Sequence, residues 1–232
     1  MRSRSTSPSA ERVEDDLVAA IRDDLRTQAD PSIAAGQQAY MKSAMPFLGV
    51  RVPAARRIAQ SHGRSIRDAD ELRHAALTLW DEARFREERY AALALLGLRA
   101  LRGDPDLVPL IEHLVRTGRW WDFTDEVAHR VADLLDAFPA EMALIVRTWS
   151  SDEDMWMRRL AIIAQLGRRE RLDADLLREV IDENAADPEF FIRKAIGWAL
   201  RDAARSAPDW VRSFVASRQL SPLSTREALK HL

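Results

Sequence analysis

The chain contains no cysteine, so disulfides and thiolate zinc sites play no part in it, and a reducing interior is the expected setting. Its five histidines (His62, His74, His113, His129 and His231) are scattered without metal-ligand spacing, and neither a metal nor a cofactor is expected. No apolar run approaches the roughly 20 residues a membrane helix needs, which argues against a membrane partner. Glycine is scarce, with eight in 232 residues. There is no Gly-rich phosphate loop, no Gly-x-Ser-x-Gly elbow and no His-Glu-x-x-His pair. The opening segment, MRSRSTSPSA, has no apolar stretch behind it. It reads as a disordered tail over 1–10 and not as an export signal, with 11–232 as one domain. Nor does one sign of charge dominate: the net charge is −2, which argues against a general nucleic-acid binder.

The charge is unevenly spread, however. Residues 11–30 hold seven acids against three arginines, whereas 40–67 carry Lys42, Arg51, Arg56, Arg57, Arg64 and Arg67 with no acid at all. From 188 to 232 there are eight Lys/Arg against four Asp/Glu. A polyanion feels the field of the face it approaches, so such patches matter more than the sum, although solvated helix faces explain any one of them equally well.

Almost every segment reads as helix. Ala, Leu and Arg dominate, and no alternating β-branched stretch appears. Pro31, Pro53, Pro105, Pro139, Pro188 and Pro208 each open an apolar-periodic segment, with Asp30, Asp104 and Asp187 placed to cap orphan amides. The predicted helices span 11–28, 31–44, 53–62, 68–80, 84–101, 105–117, 121–137, 139–149, 154–167, 173–186, 188–206, 208–217 and 222–231. Within them, Arg89-Tyr90-Ala91, Arg159-Leu160-Ala161 and Lys194-Ala195-Ile196 align at separations of 70 and 35, with the missing copy near 124. Helical pairs at this period are the mark of an all-α solenoid of HEAT-like repeats, whose concave groove suits a long partner.

This register makes Trp121, Trp156 and Phe191 equivalent, so a stacking role within the repeats is an even alternative for Trp121. Trp120 lies on another face, and one of the two indoles is expected to pack while the other looks outward. Asp125 holds the slot of Tyr90, Leu160 and Ala195, a carboxylate in place of a packing residue, and departures of this kind tend to mark function. It shares a helix face with Trp121 four residues earlier, and an unpartnered carboxylate there fits the edge of a groove better than a core. Gly197, inside a helix and next to Trp198, points to a close approach by a neighbouring helix or a ligand. Arg158–Arg159 and Arg193–Lys194 place cations at matching points of successive repeats; pairing with Asp154 or Glu189 is the structural alternative.

Several of these segments resemble the bacterial AlkD-type DNA alkylation repair proteins. The likeness rests on Tyr40-Met41-Lys42, Pro46-Phe47-Leu48-Gly49-Val50 with Pro53, Trp120-Trp121-Asp122-x-x-Asp125, Trp156-x-x-Arg159, Phe190-Phe191-Ile192-x-Lys194-Ala195-Ile196-Gly197-Trp198 and Leu220-Ser221-Pro222-Leu223-Ser224-x-Arg226-Glu227-Ala228. It runs from about residue 35 to 232. The resemblance implies excision of positively charged alkylated purines, such as 3-methyladenine and 7-methylguanine, from duplex DNA in a bacterial cytosol, by a monomer. By position it carries active-site roles to Trp121, Asp125, Arg159 and Trp198, and DNA contacts to Tyr40 and Arg201, with Lys42, Arg51 and Lys194 as further backbone contacts. Arg51 and Arg158 depart from glutamines of the family pattern, adding positive charge.

The chemistry agrees with that likeness. Breaking an N-glycosidic bond builds positive charge on the deoxyribose, which a single carboxylate can stabilise. A cationic alkylated purine leaves as a neutral molecule, so no general acid is needed. Trp121 and Trp198 are suited to stack on the lesion nucleotide, and Arg159 to hold a phosphate. Two other readings stand beside this one: a non-catalytic binder of distorted DNA using the same groove, and a helical scaffold for proteins.

Overall fold

The computed structural model describes residues 8–232, with side chains from Asp16 onward. Most of the expected tail, 1–7, lies outside the described residues. The described residues form thirteen α-helices and two short 3-10 turns, with no strand among them. They group into two compact units, Met1–Arg102 and Gly103–Leu232.

The first unit contains α1 (Pro8–Thr27), α2 (Pro31–Met41), α3 (Val52–Gly63), α4 (Ala69–Asp81) and α5 (Arg86–Leu95). Helix α5 packs against both α3 and α4, and α1 lies against α3 and α4. Ile21, Leu25, Leu72, Leu79, Trp80 and Leu95 are sealed at this junction. The expected helix over 84–101 stops at Leu95 and resumes only as a 3-10 turn, Arg99–Leu101, after extended Leu98.

The second unit contains α6 (Leu107–Gly118), α7 (Trp121–Ala137), α8 (Pro139–Ser150), α9 (Met155–Ile163), α10 (Ala174–Asn184), α11 (Phe190–Ala203), α12 (Pro208–Ala216) and α13 (Pro222–Ala228). Here α7, α9, α11 and α13 pack in succession, each on the next, and α8 packs on α10. The period read from the sequence reappears as polar ties between successive repeats. Arg116 reaches Asp152 over 36 residues, Asn184 reaches Ser150 over 34, and Arg168 reaches Asp136 over 32. This is the all-α helical-repeat fold.

Two details differ from expectation. Pro105 and Pro188 precede their helices, which begin at Leu107 and Phe190. Asp104 and Asp187 accept from Asp106 N and Glu189 N and cap the entering turn instead of the helix. The segment 154–167 is helical only to Ile163, before a turn that ends at Gly167 with φ +79°.

Candidate functional site

Helix α6 ends on Arg119, in the left-handed region at φ 44°, and α7 begins two residues later. That tight turn leaves extended Trp120 as the N-cap of α7, with Thr124 donating its hydroxyl to the Trp120 carbonyl. The two indoles then part company. Trp120 packs its ring against Trp156 and Phe191, at centroid distances of 6.1 and 5.9 Å, and Trp156 and Phe191 lie 5.0 Å apart. The register made Trp121 the equivalent of those two rings; the ring that joins them is Trp120. The reason is the helix start, since the N-cap residue and not the first helical residue points back toward the next repeat. Trp121 stays half-buried with no ring partner and no hydrogen bond among the described residues, and so does Trp198 on α11. The other five tryptophans are accounted for. Trp80 is sealed in the core under Arg89, Trp149 is sealed and donates to Glu112, Trp120 and Trp156 stack together, and Trp210 stacks on Phe214.

Asp125 is not unpartnered, as its position beside an indole suggested. Both of its oxygens accept from the Arg159 fork, Nε to Oδ1 at 2.8 Å and Nη2 to Oδ2 at 2.9 Å. Such a bidentate guanidinium–carboxylate pair fixes orientation as well as charge. Arg159 donates its third nitrogen, Nη1, to the Phe191 carbonyl at 2.6 Å, and its guanidinium sits 5.9 Å from the Phe191 ring. One polar chain therefore crosses α7, α9 and α11. The Arg159 side chain is only 4% exposed, against 16% for Asp125. Arg159 was expected to hold a phosphate; here all three of its nitrogens are bonded inside the protein, and the carboxylate is the member that reaches the surface. Burial pushes the Asp125 carboxyl above its ordinary value, while Arg159 pulls against that shift.

Lys194 and Arg201, two turns apart with Trp198 on one face of α11, both bind Glu227 of α13, Lys194 at 2.9 Å. Those cations hold the Glu227 carboxyl below its ordinary value. Both were expected to meet DNA; here an acid already occupies them. Gly197 has the cause that one of its two readings gave. A Cβ there would lie 2.5 Å from the Glu227 Cβ and 2.9 Å from the Ser224 carbonyl, so the close neighbour is helix α13. Arg158 is paired too, with Asp187 at 3.0 Å and not with Asp154 or Glu189.

Tyr40, Lys42 and Arg51 lie in the first unit. Tyr40 is 77% exposed in the last turn of α2, Lys42 is exposed as its left-handed C-cap, and Arg51 is the exposed N-cap of α3. None of the three side chains makes a hydrogen bond or ion pair with a described residue. Sequence reasoning gave Glu227 no role beyond its place in the Leu220–Ala228 run, and it missed the Phe191 carbonyl and the pairing of Arg159 with Asp125. The last was within reach, because Arg159 stands one repeat period after residue 124.

Among the described residues no group of acids and histidines is placed to hold a metal ion, and no helix is long and apolar enough to cross a membrane. Residues 21–232 match the family model for the DNA alkylation repair enzyme. Among solved structures the chain is similar to a predicted DNA alkylation repair enzyme from Enterococcus faecalis, with 29% identity, a TM-score of 0.80, and 88% of this chain and 97% of that one covered. It also shares its fold with AlkD2 from Streptococcus mutans, at 19% identity and a TM-score of 0.62 over 79% of this chain and 91% of that one. The smu.31 protein from Streptococcus mutans UA159 is alike at 19% identity and a TM-score of 0.59, over 78% of this chain and 92% of that one. Among curated proteins none matches.

Proposed function

The chain belongs to the DNA alkylation repair enzyme family, and from that premise we propose that it is a DNA glycosylase for positively charged alkylated purines. The observation that carries this reading is Asp125: a carboxylate oriented by a buried arginine, still part-exposed, one helical turn from an indole on which no described residue stacks. In the reaction the bond between C1′ and the purine nitrogen breaks with its electron pair going to the base. A cationic 7-alkylguanine or 3-alkyladenine thereby leaves neutral, and the positive charge passes to the sugar. Asp125 stabilises that charge, and water adds at C1′ and gives up one proton. No acid is required to protonate the leaving group, which fits the presence of a single carboxylate.

Trp121 and Trp198 hold the lesion nucleotide by stacking, worth roughly 0.5–2 kcal/mol each for a cationic base. Arg159 acts as the positioning residue of Asp125. Lys194 and Arg201 meet the DNA backbone at the margin of this site, alongside their tie to Glu227, and Tyr40, Lys42 and Arg51 meet it from the first unit. In this reading the helical repeats present a positively charged face to the duplex, and the protein acts as a monomer in the bacterial cytosol.

The test is release of free base from duplex DNA carrying 7-methylguanine or 3-methyladenine. Wild-type protein should release it, and Asp125→Asn should bind the same DNA but release little. The bidentate pair favours one competing reading, in which Asp125 is a structural anchor and the protein binds distorted DNA without cutting it. Absence of base release from both lesions by the wild type would establish that reading in its place.

A further inference from the structure

The segment Pro46-Phe47-Leu48-Gly49-Val50 has no part in the chemistry above, yet it is fastened by several hydrogen bonds. Its anchor is Glu87, a carboxylate with no solvent exposure. Glu87 accepts from three consecutive backbone N–H groups: Leu48 and Gly49 at 2.9 Å and Val50 at 3.0 Å. Arg86 beside it donates its own N–H to the Pro46 carbonyl at 3.0 Å and Nη1 to the Ser43 hydroxyl at 3.3 Å. Asp30 N donates to the Leu48 carbonyl at 3.0 Å. Gly49, at φ +92°, is pressed so closely onto the Asp30 backbone that a Cβ would collide with it.

A surface loop rarely receives a fully buried carboxylate as its core, because the charge must be desolvated and then matched donor for donor. What this one carries explains the investment. Lys42 begins the loop and Arg51 ends it, with Tyr40 just ahead. Lys42 stands in the left-handed region, φ 48°, where glycine is the favoured residue. Arg51 is the N-cap of α3, where its side chain makes no capping bond and its charge opposes the positive end of the helix dipole. Both positions hold a cation against local preference, in a stretch from 40 to 67 that has no acid. The exposed Asp30, held below its ordinary value mainly by its bonds to Ser32 and in small part by the charge of Arg51, makes no bond with Arg51.

We propose that Glu87 is a positioning residue: through the loop 42–51 it sets Tyr40, Lys42 and Arg51 as a single clamp on the phosphates of a DNA strand. The inference rests on the reading that the chain binds DNA. The clamp recognises backbone and not base, since it offers two cations and a phenol and no planar amide or carboxylate for a base edge.

The experiment measures duplex-DNA affinity against salt, and base release at saturating DNA, for wild type, Glu87→Gln, Ser43→Ala and the double variant Lys42→Ala/Arg51→Ala. Glutamine keeps the shape of Glu87 but turns one acceptor into a donor facing N–H groups, so the loop loosens. Two lost phosphate contacts should flatten the slope of log affinity against log salt by about 2 and weaken binding about tenfold at moderate salt. The rate at saturation should be unchanged. Lys42→Ala/Arg51→Ala should flatten the slope equally, and adding Glu87→Gln to it should change little more. Ser43→Ala, which removes the hydroxyl that Arg86 and Met45 bond, should flatten it by about 1, and it keeps the test alive if Glu87→Gln does not fold. A wild-type slope in the folded Glu87→Gln and Ser43→Ala variants, or full additivity with the double variant, overturns the inference. Failure of the wild type to bind DNA at all would instead defeat the reading on which it rests.

Discussion

In the unit Met1–Arg102 the Glu87 carboxylate collects three backbone N–H groups and is lost from solvent, whereas in Gly103–Leu232 the Asp125 carboxylate collects one guanidinium and keeps a rim exposed. Both groups avoid the cost of an unmatched buried charge, by different means. Backbone donors cannot be withdrawn without remaking the loop, so Glu87 fixes a shape. A guanidinium belongs to a side chain, and it leaves the second lone pairs of the carboxylate free to meet a new positive charge. One carboxylate is enclosed by the loop it holds, and the other keeps an open edge. The Phe191 ring, itself packed against Trp120 and Trp156, backs the Arg159 guanidinium.

The largest effect expected from breaking this contrast is on rate. Asp125→Asn keeps the size of the side chain and one of its acceptors but removes the charge. Excision should fall by about 10²–10³-fold, as when one preorganised group facing a developing charge is removed, with DNA affinity close to that of the wild type. Single-turnover base release and a binding titration on the same protein separate the two quantities. Loss of binding in step with rate would make Asp125 a strut like Glu87.

The reverse substitution should show in stability. Glu87→Gln is expected to cost about 2–3 kcal/mol in urea unfolding, since it places a donor against donors in a dry site. Asp125→Asn is expected to cost less, about 1–2 kcal/mol, because its site is part-wet. Equal costs would remove the distinction between the two carboxylates. Arg159→Lys then sharpens it from the partner's side. Lysine keeps the charge and loses the fork, so excision should drop about tenfold with DNA affinity retained. An unchanged rate would mean that orientation by Arg159 is not what Asp125 needs.

Glu87 was harder to see in the sequence than Asp125. All thirteen helices were legible from periodicity, because burial of one face in every repeat imprints a spacing that survives divergence. Asp125 was legible as the position where a carboxylate interrupts that spacing. Glu87 left no such mark: it stands in Arg86-Glu87-Glu88, which reads as an ordinary charged first turn, and nothing local tells which acid points inward to a loop 37–39 residues earlier. The partner of Asp125 was misjudged for a related reason. An arginine next to another arginine, Arg158–Arg159, looks like a surface pair until the packing of α9 on α7 and α11 sends one inward and leaves the other near solvent. Likewise the choice between Trp120 and Trp121 turned on a single residue at a helix start, where the left-handed Arg119 sets the phase and composition says nothing.

The smallest expected effect lies in pH. Burial raises the Asp125 carboxyl above its ordinary value, with Asp122 adding to the rise, while the bond and charge of Arg159 and the nearby His129 oppose it. The reaction needs the ionised form. Excision, corrected for spontaneous depurination, should therefore begin to fall on acidification at a pH above the usual carboxylate range. Stability moves the other way for this group. A raised value means that the folded state binds the proton more tightly than the unfolded chain, so its contribution to folding is full below the ordinary value and is lost as pH rises through the raised one. Asp125→Asn should abolish both trends, leaving a flat residual rate and a steeper acid limb in the unfolding profile, because the gain that Asp125 gives on acidification is gone. A wild-type rate that held level down through the usual carboxylate range would show that the charge on Asp125 is not what drives the bond apart.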